Sequence, residues 1–311
     1  MTLGKTICNG LLTILCLLSL GHGVASADDR IAVLTSLDAA PFRQTIAGFQ
    51  AYLGKQGVQA DYDVYNLNGD VASAGPALLK IKKSRVKLIF ALGSLAAEAA
   101  IKGTGEIPII AGLVLRTDGL SKPPNATGVG LEFPLETQFA WLQRFLPEVK
   151  TVGVIYNPEE NRQRVEAAAR IAQKRGLRLE AEEVNVPQDV PAALNNLSRS
   201  ADVLWGVADN LALSPQIAKN IILFSFRNSI PLIGPSQTWV KAGALYALDW
   251  DYADIGAQCG EMARKVLQGA PPASIPPEAP RKVLYSLNLS AARQLKIDFP
   301  DELVRGARQT Y

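Results

Sequence analysis

Polar residues at the end of a predicted strand are the first groups in this sequence that could do chemistry. Residues 151–156 form a short apolar run with Val and Ile, the pattern of a strand that is buried on both faces. Tyr156 ends this strand, Asn157 stands where a helix N-cap belongs, and Pro158 follows at the first helical position. Because open α/β sheets bind ligands at the carboxyl ends of their strands, the turn predicts a ligand-binding edge.

The N-terminus has the three parts of a secretory signal peptide. Lys5 precedes an apolar run over 7–20, and Ala25 to Ala27 form a small-residue cleavage site. We therefore predict that the chain is exported and cleaved after Ala27. A membrane anchor is the weaker alternative, because the apolar run is short for a membrane span.

Cleavage at that site would remove the only histidine, His22, and two of the three cysteines. The mature chain would keep Cys259 alone, which allows no intramolecular disulfide. A histidine general base, a Ser-His-Asp triad and a histidine-containing zinc site are thereby excluded. The sequence also lacks a phosphate-binding loop and a complete dinucleotide fingerprint. We predict no enzymatic activity, no metal and no other cofactor.

Composition limits the remaining possibilities. The 311 residues are enough for two domains of about 100–150 residues each. A content of 48% hydrophobic and 20% charged residues is ordinary for a globular protein. The formal net charge of +3, without a run of Lys and Arg, predicts no binding of nucleic acid.

Predicted strands and helices alternate through both halves of the chain, first over 29–112 and again from residue 151. Such alternation predicts parallel sheets with right-handed crossovers. We predict an α/β protein of two Rossmann-like three-layer lobes that are joined by a multi-strand hinge. The predicted first lobe holds 28–148 and 251–270, and the predicted second lobe holds 149–250 and 281–311.

Several segments, in order along the chain, match those of a known family. They are ALGSLAAEAA at 91–100, IPIIAGLV at 107–114, VGVIYNPEEN at 152–161, AGALYALDWDYADIGAQCGEMARKVLQGAPPASIP at 242–276 and LYSLNLSAARQLKIDFPDEL at 284–303. Together they resemble the ABC-transporter substrate-binding protein family with the type I periplasmic-binding fold, whose nearest members bind aromatic or branched amino acids. The resemblance implies two α/β lobes, three crossover segments and capture of a small-molecule solute by lobe closure.

The resemblance also implies a ligand site at the strand ends of both lobes. Ser94, at a helix N-terminus, would hold a ligand carboxylate with help from backbone N–H groups. Asp209 would pair with a ligand ammonium, and Phe42 would stack on a ring. The full predicted ligand-binding set is Ser36, Phe42, Ser94, Tyr156, Asn157, Asp209 and Ser236.

Plainer roles for these residues remain open. Ser94, Asn157 and Asp209 could each cap a helix, whereas Tyr156 and Phe42 could belong to the core.

The sequence departs from the family after its fourth strand. The stretch 115–118 stands where many relatives carry Asp-Pro, and its residue Arg116, if it lies near the cleft, would favour an anion.

We predict a monomeric periplasmic protein that captures a small polar or aromatic, amino-acid-like solute and delivers it to an inner-membrane ABC permease. The alternative is a sensory binding protein that reports to a membrane receptor or sensor kinase. The sequence does not separate the two roles, because no motif identifies the surface that docks on the membrane partner. The third hypothesis is an exported enzyme with a carboxylate pair such as Glu132 and Asp209. Such a mechanism needs two acids with split pKa values, and spacing along the chain offers no support for it.

Overall fold

The computed structural model describes residues 29–311, and the predicted signal peptide lies outside them. Across this described range, no helix has the length and apolar character required to cross a membrane. The chain forms two sheets of mainly parallel strands, and helices cover both faces of each sheet. The predicted α/β class is confirmed.

The first sheet contains five parallel strands in the order β2-β1-β3-β4-β5. Its strands are β1 (Asp29–Thr35), β2 (Ala60–Asn66), β3 (Leu88–Leu92), β4 (Ile109–Val114) and β5 (Ala126–Gly130). The helices between them are α1 (Ala40–Lys55), α2 (Ala74–Lys83) and α3 (Ser94–Gly103). β3 and β4 are buried along their whole length, which explains why both are continuous apolar runs.

The second sheet contains seven strands in the order β12-β11-β10-β9-β8-β6-β7, and only the β10–β11 pair is antiparallel. Its strands are β6 (Thr151–Tyr156), β7 (Arg178–Glu183), β8 (Val203–Trp205), β9 (Leu232–Ile233), β10 (Tyr246–Trp250), β11 (Val283–Leu287) and β12 (Gln309–Thr310). The remaining helices are α4 (Leu135–Phe145), α5 (Pro158–Lys174), α6 (Val190–Leu197), α7 (Pro215–Asn228), α8 (Gln237–Ala242), α9 (Tyr252–Leu267), α10 (Leu289–Gln294) and α11 (Asp301–Gly306). The sequence predicted one final helix near Ser290, whereas the chain continues through α11 and β12.

The helix α4 packs on the second sheet. Its residues Phe139 and Phe145 share an apolar core with Val152 of β6. The segment 135–145 therefore lies with the second sheet, although the predicted first lobe extended to residue 148. The hydrophobic face of α4 decides its place, because that face is buried only against the second sheet. The other predicted domain limits stay predictions.

The helix α9 returns to the first sheet and packs along α1. The two helices touch through their backbones: a Cβ added at Gly48 would collide with the carbonyl of Ala253, and one added at Gly256 with the carbonyl of Thr45. Cys259 of α9 is fully buried in the same core, as predicted for a small hydrophobic residue. Close packing of this kind fixes the position of α9 on the first lobe.

Three short crossovers connect the sheets: 131–134 after β5, Asp251 after β10, and 279–282 before β11. The crossover predicted over 249–251 is shorter than expected, because its first two residues still pair within β10.

Aromatic and ionic contacts join these crossovers. The indole of Trp250 donates to the carbonyl of Leu131 (2.6 Å) and stacks on Phe133 with 6.0 Å between centroids, and Lys282 pairs with Asp251 at 2.5 Å. Since β5 and β10 both end at the crossovers, the carboxyl edges of the two sheets face the same gap.

Candidate functional site

At the first sheet, the ends of β1 and β3 bring Ser36, Phe42 and Ser94 together. Gly93, between β3 and α3, has a φ of 84° and lies so close to both neighbours that an added Cβ would be 2.5 Å from Ser36 Oγ and 3.2 Å from Phe42. Ser36 is buried, and its hydroxyl accepts a hydrogen bond from the backbone N–H of Ala96 (3.0 Å). Ser36 therefore fixes the first turn of α3.

Ser94 is the first residue of α3, and Gly93 occupies the N-cap position before it. The alternative that Ser94 caps this helix is therefore wrong. Ser94 is half-buried at the sheet edge. Phe42 is also half-buried, and it packs against the core that α1 and α9 form on the first sheet. Both stay predicted ligand contacts, with Ser94 beside the positive end of α3.

At the second sheet, Asp209 joins the loops that follow β6 and β8. Its Oδ2 accepts hydrogen bonds from the backbone N–H of Asn157 (2.7 Å) and the side-chain amide of Asn161 (2.9 Å). Its Oδ1 accepts from the backbone N–H groups of Leu211 (3.0 Å) and Ala212 (2.7 Å). A carboxylate offers about four lone-pair sites, so none is left for the ligand ammonium that we predicted here. We call this arrangement the Asp209 clamp.

The structure also gives the surroundings of the other three predicted residues of the second lobe. The side chain of Asn157 accepts from the N–H of Glu159 (2.8 Å), which confirms its role as the N-cap of α5. Tyr156 lies in the core, its hydroxyl donates to Glu183 Oε1 (3.0 Å), and burial and this carboxylate raise its pKa. The core alternative therefore describes Tyr156 correctly. Ser236 is half-buried at the start of α8, without a side-chain capping bond.

Sequence reasoning missed a charged cluster on the crossover side of the gap. Arg164 of α5 forms an ion pair with Glu132 of the first crossover, and its guanidinium lies over the ring of Trp205, 5.7 Å from the centroid. The side chain of Arg164 is 15% exposed and that of Glu132 is 35% exposed. Burial lowers the pKa of Arg164 to about 10, with a further contribution from the charge of Arg116. Arg164 is still a cation at neutral pH.

The ion pair of Glu132 with Arg164 also argues against the carboxylate pair that the enzyme hypothesis requires. Glu132 is paired with Arg164, whereas Asp209 is held in its own clamp by four N–H donors. The two acids therefore sit in separate hydrogen-bond networks and do not form an acid–base pair.

Away from the two sheet edges, the described part of the chain has surface concavities but no metal-binding cluster. Among residues 29–311, no three His, Cys, Asp or Glu side chains come close enough together to hold a metal ion. Two surface concavities, of 380 and 320 Å³, are lined by α6 with α7 and by α10 with the segment up to α11. Neither is lined by the facing sheet edges. The candidate site is the gap that the carboxyl edges of the two sheets face.

Comparison with known proteins identifies the family. The family model described as ABC transporter substrate binding protein matches residues 30–311. The chain belongs to this family. Solved structures of periplasmic binding proteins match over about the whole chain, and they confirm the predicted type I periplasmic-binding fold. The family is one of substrate-binding proteins and not a class of enzymes.

Several relatives are informative. A tyrosine-binding protein of Clostridioides difficile (strain R20291) is 29% identical over 236 residues, which cover 71% of this chain and 66% of that protein, slightly under two thirds. The ligand-free, open structure of a substrate-binding protein with adhesive properties from Clostridium difficile is 25% identical, with a TM-score of 0.77 over 90% of this chain and 98% of that one. A Streptococcus pneumonia ABC domain in complex with L-Trp is 23% identical, with a TM-score of 0.63 over 92% of this chain and 100% of that one, and it supports the fold alone.

Proposed function

We propose that this family member is the periplasmic solute-binding component of an ABC importer. An amino-acid-like solute, aromatic in the first instance, enters the gap, the two lobes close around it, and the closed form docks on an inner-membrane permease. Closure is a population shift, driven by contacts that exist only when both lobes touch the solute. No covalent step is needed.

The observation that carries this proposal is the pair of sheet edges that face one gap, joined within residues 29–311 by three crossovers. Few segments must bend when such lobes close. The tyrosine-binding relative supports an aromatic amino acid as the solute. On the first lobe we propose Ser94 and Phe42 as contacts, the first for a carboxylate and the second for a ring.

Thermal unfolding of the mature chain, residues 28–311, tests the ligand class. L-Tyrosine, L-tryptophan and L-leucine are compared with their D-enantiomers and with ribose. A true ligand at a hundred times its Kd adds about 2.7 kcal/mol to the free energy of unfolding. Phe42→Ala should reduce the shift, whereas Phe224→Ala, in the groove between α6 and α7, should leave it unchanged. Stabilisation by ribose but by no amino acid would overturn the proposed class.

Uptake of the labelled ligand by cells tests the importer role. Deletion of the gene should abolish high-affinity uptake, and a plasmid copy should restore it. If uptake is unchanged while the cellular response to the ligand is lost, the sensory alternative is supported and the importer role is overturned.

A further inference from the structure

Positive charge is concentrated at the end of α2 and in the turn that follows it. Five exposed basic residues, which we call the basic face, lie there: Lys80, Lys82, Lys83, Arg85 and Lys87. The sequence from residue 71 to residue 97 contains no Asp or Glu. Among residues 29–311, only Lys87 of this face has a carboxylate partner, which is Asp29. Four of the five charges are therefore uncompensated.

The helix macrodipole explains only part of this charge. A lysine in the last turn is favourable beside the negative end of the dipole, and α1 and α3 each have one there, Lys55 and Lys102. The last turn of α2 has three lysines, and basic residues continue beyond its end. Lys80 and Lys83 are three residues apart, so they are neighbours on the helix surface and repel each other. Stability of the helix therefore does not account for the basic face.

Arg85 of the basic face has a backbone conformation that favours glycine. It follows Ser84, the C-cap of α2, and its φ is 52°. Glycine is the usual residue at this position, because a side chain strains the backbone there. An arginine at this point costs stability that a glycine would not cost. Such strain at an exposed residue points to a function of the side chain.

An exposed leucine lies beside the lysines. Leu79 is 61% exposed, whereas Leu78 and Ile81 of the same helix are buried in the core. Lys82 and Lys83 follow Leu79 by three and four residues, which places them on the same side of α2. An apolar side chain among lysines is typical of helices that lie on anionic membranes, with the leucine at the acyl boundary and the lysines at the headgroups.

The basic face lies at the end of the first lobe that is opposite the gap. It is next to the start of β3, whereas the gap is at the carboxyl edge of the sheet. The start of β1 is at the same end, where Asp29 pairs with Lys87. The predicted signal peptide ends at Ala27, two residues before Asp29, and its apolar run enters a membrane during export. The predicted export route therefore brings a membrane to this end of the lobe.

We infer that the basic face binds the anionic headgroups of a phospholipid membrane, and that Leu79 inserts between them. The segment 71–87 has no aromatic side chain to stack on bases, so a lipid surface fits it better than a nucleic acid does. Binding is reversible, because each lysine or arginine at an anionic surface contributes only about fivefold in affinity. The gap stays uncovered at the opposite end. The inference goes beyond the proposed function and depends on no particular solute.

Sedimentation with lipid vesicles tests the inference on the chain from residue 28 to residue 311. One set of vesicles is pure phosphatidylcholine, and the other contains about 30% phosphatidylglycerol in phosphatidylcholine. We expect binding to the anionic vesicles alone, and a loss of most of it at about 1 M salt, where charges are screened within about 3 Å. Equal binding to both sets, or no binding to the anionic set, would overturn the inference. Binding of a DNA duplex without binding of vesicles would also overturn it.

Variants of equal net charge locate the surface. The test variant combines Lys80→Gln, Lys82→Gln and Lys83→Gln, and its affinity for anionic vesicles should fall about a hundredfold, at about fivefold for each lysine. The control variant has the same change at three exposed helical lysines of the second lobe, Lys174, Lys219 and Lys241. Its affinity should fall by less than fivefold. An equal loss in both variants would show that net charge alone decides, and the inference would be wrong.

Two single substitutions separate membrane binding from stability. Leu79→Gln should weaken binding to anionic vesicles several-fold, whereas Leu223→Gln, at an exposed leucine of α7, should not. Arg85→Gly should weaken binding and yet raise the urea concentration at which the chain unfolds, because glycine relieves the strained backbone. A purely structural role of Arg85 would leave vesicle binding unchanged. Unchanged binding in both Leu79→Gln and Arg85→Gly would overturn the inference.

Discussion

The two sheet edges that face the gap are built differently. On the second lobe, the Asp209 clamp uses every lone pair of its carboxylate to hold the loops after β6 and β8. On the first lobe, one hydrogen bond from Ala96 to Ser36 and a close approach at Gly93 hold the loops after β1 and β3. Ser94 and Phe42 remain half-buried at that edge.

The difference shows which groups are available to a solute. A buried carboxylate with four donors is a rigid structural element, and removal of its partners is costly. A half-buried serine at the start of a ten-residue helix keeps its hydroxyl and nearby N–H groups within reach. We therefore expect the first lobe to provide direct contacts and the second lobe to provide a firm surface.

Among substitutions at the two edges, Asp209→Ala should cause the largest loss in the free energy of unfolding. The substitution leaves four N–H donors at a site that is only 9% exposed, and we expect a loss of about 3 kcal/mol in the free energy of unfolding. Urea unfolding of the chain from residue 28 to residue 311 measures this loss. The control is Asp118→Ala, which removes an exposed ion pair and should change stability by less than about 0.5 kcal/mol. Equal effects of the two variants would show that the clamp is not the element that holds the second edge.

Gly93→Ala should have the second largest effect, now on the first edge. The residue has a φ of 84°, and its Cβ would press on Ser36 Oγ, so strain and collision should together cost about 2–3 kcal/mol. Gly57→Ala is the matched control, because its φ of 76° is similar and no atom lies within 4 Å of an added Cβ. We expect about 1 kcal/mol for this control. If the two alanine variants unfold at the same urea concentration, the packing of Gly93 on Ser36 contributes nothing.

Local signals in the sequence predicted much of this fold. The strand 151–156 and the helix 252–267 lie where the apolar pattern and the capping residues placed them. The cap at Asn157 was also predicted as one of two roles, because an N-cap residue bonds to a neighbour only two residues ahead. Signals of this kind depend on a few adjacent residues, and these are visible in one sequence.

The contacts that define the site depend on residues far apart in the chain. The Asp209 clamp forms because the loops after β6 and β8 are neighbours in the sheet, and no spacing in the sequence reveals that pairing. The Arg164–Glu132 pair forms because α4 lies with the second sheet, which places the first crossover beside α5. The placement of α4 differed from the prediction, and the charged cluster was missed for the same reason.

Ser36→Ala should have a smaller effect than Gly93→Ala at the same edge. It removes one buried hydrogen-bond acceptor from the N–H of Ala96, and we expect a loss of about 1 kcal/mol. Hydrogen exchange of the Ala96 amide should become faster, and the affinity for the solute should fall if the start of α3 takes part in binding. Ser274→Ala is the control, because its exposed hydroxyl bonds only to a nearby carbonyl in a loop. An unchanged exchange rate at Ala96 would contradict the role given to Ser36.

Tyr156→Phe should have the smallest effect on the free energy of unfolding. Titration of the Glu183 carboxyl should therefore detect its effect better than an unfolding experiment. Arg162 and then the Tyr156 hydroxyl lower the pKa of Glu183. A lowered carboxyl pKa in the folded state means that the associated stability is present above the ordinary glutamate pKa and is lost as the pH falls through the folded-state value. Without the hydroxyl, the pKa of Glu183 should rise towards its ordinary value while Arg162 still holds it below that value. Carbon NMR of the Glu183 carboxyl, recorded over acidic pH, measures this change in pKa. The control is Tyr62→Phe, because the pKa of Tyr62 is raised by burial alone and not by a carboxylate. An unchanged Glu183 titration in Tyr156→Phe would mean that the Tyr156 hydroxyl does not stabilise the Glu183 carboxylate. Arg162 alone would then hold Glu183 at the end of β7.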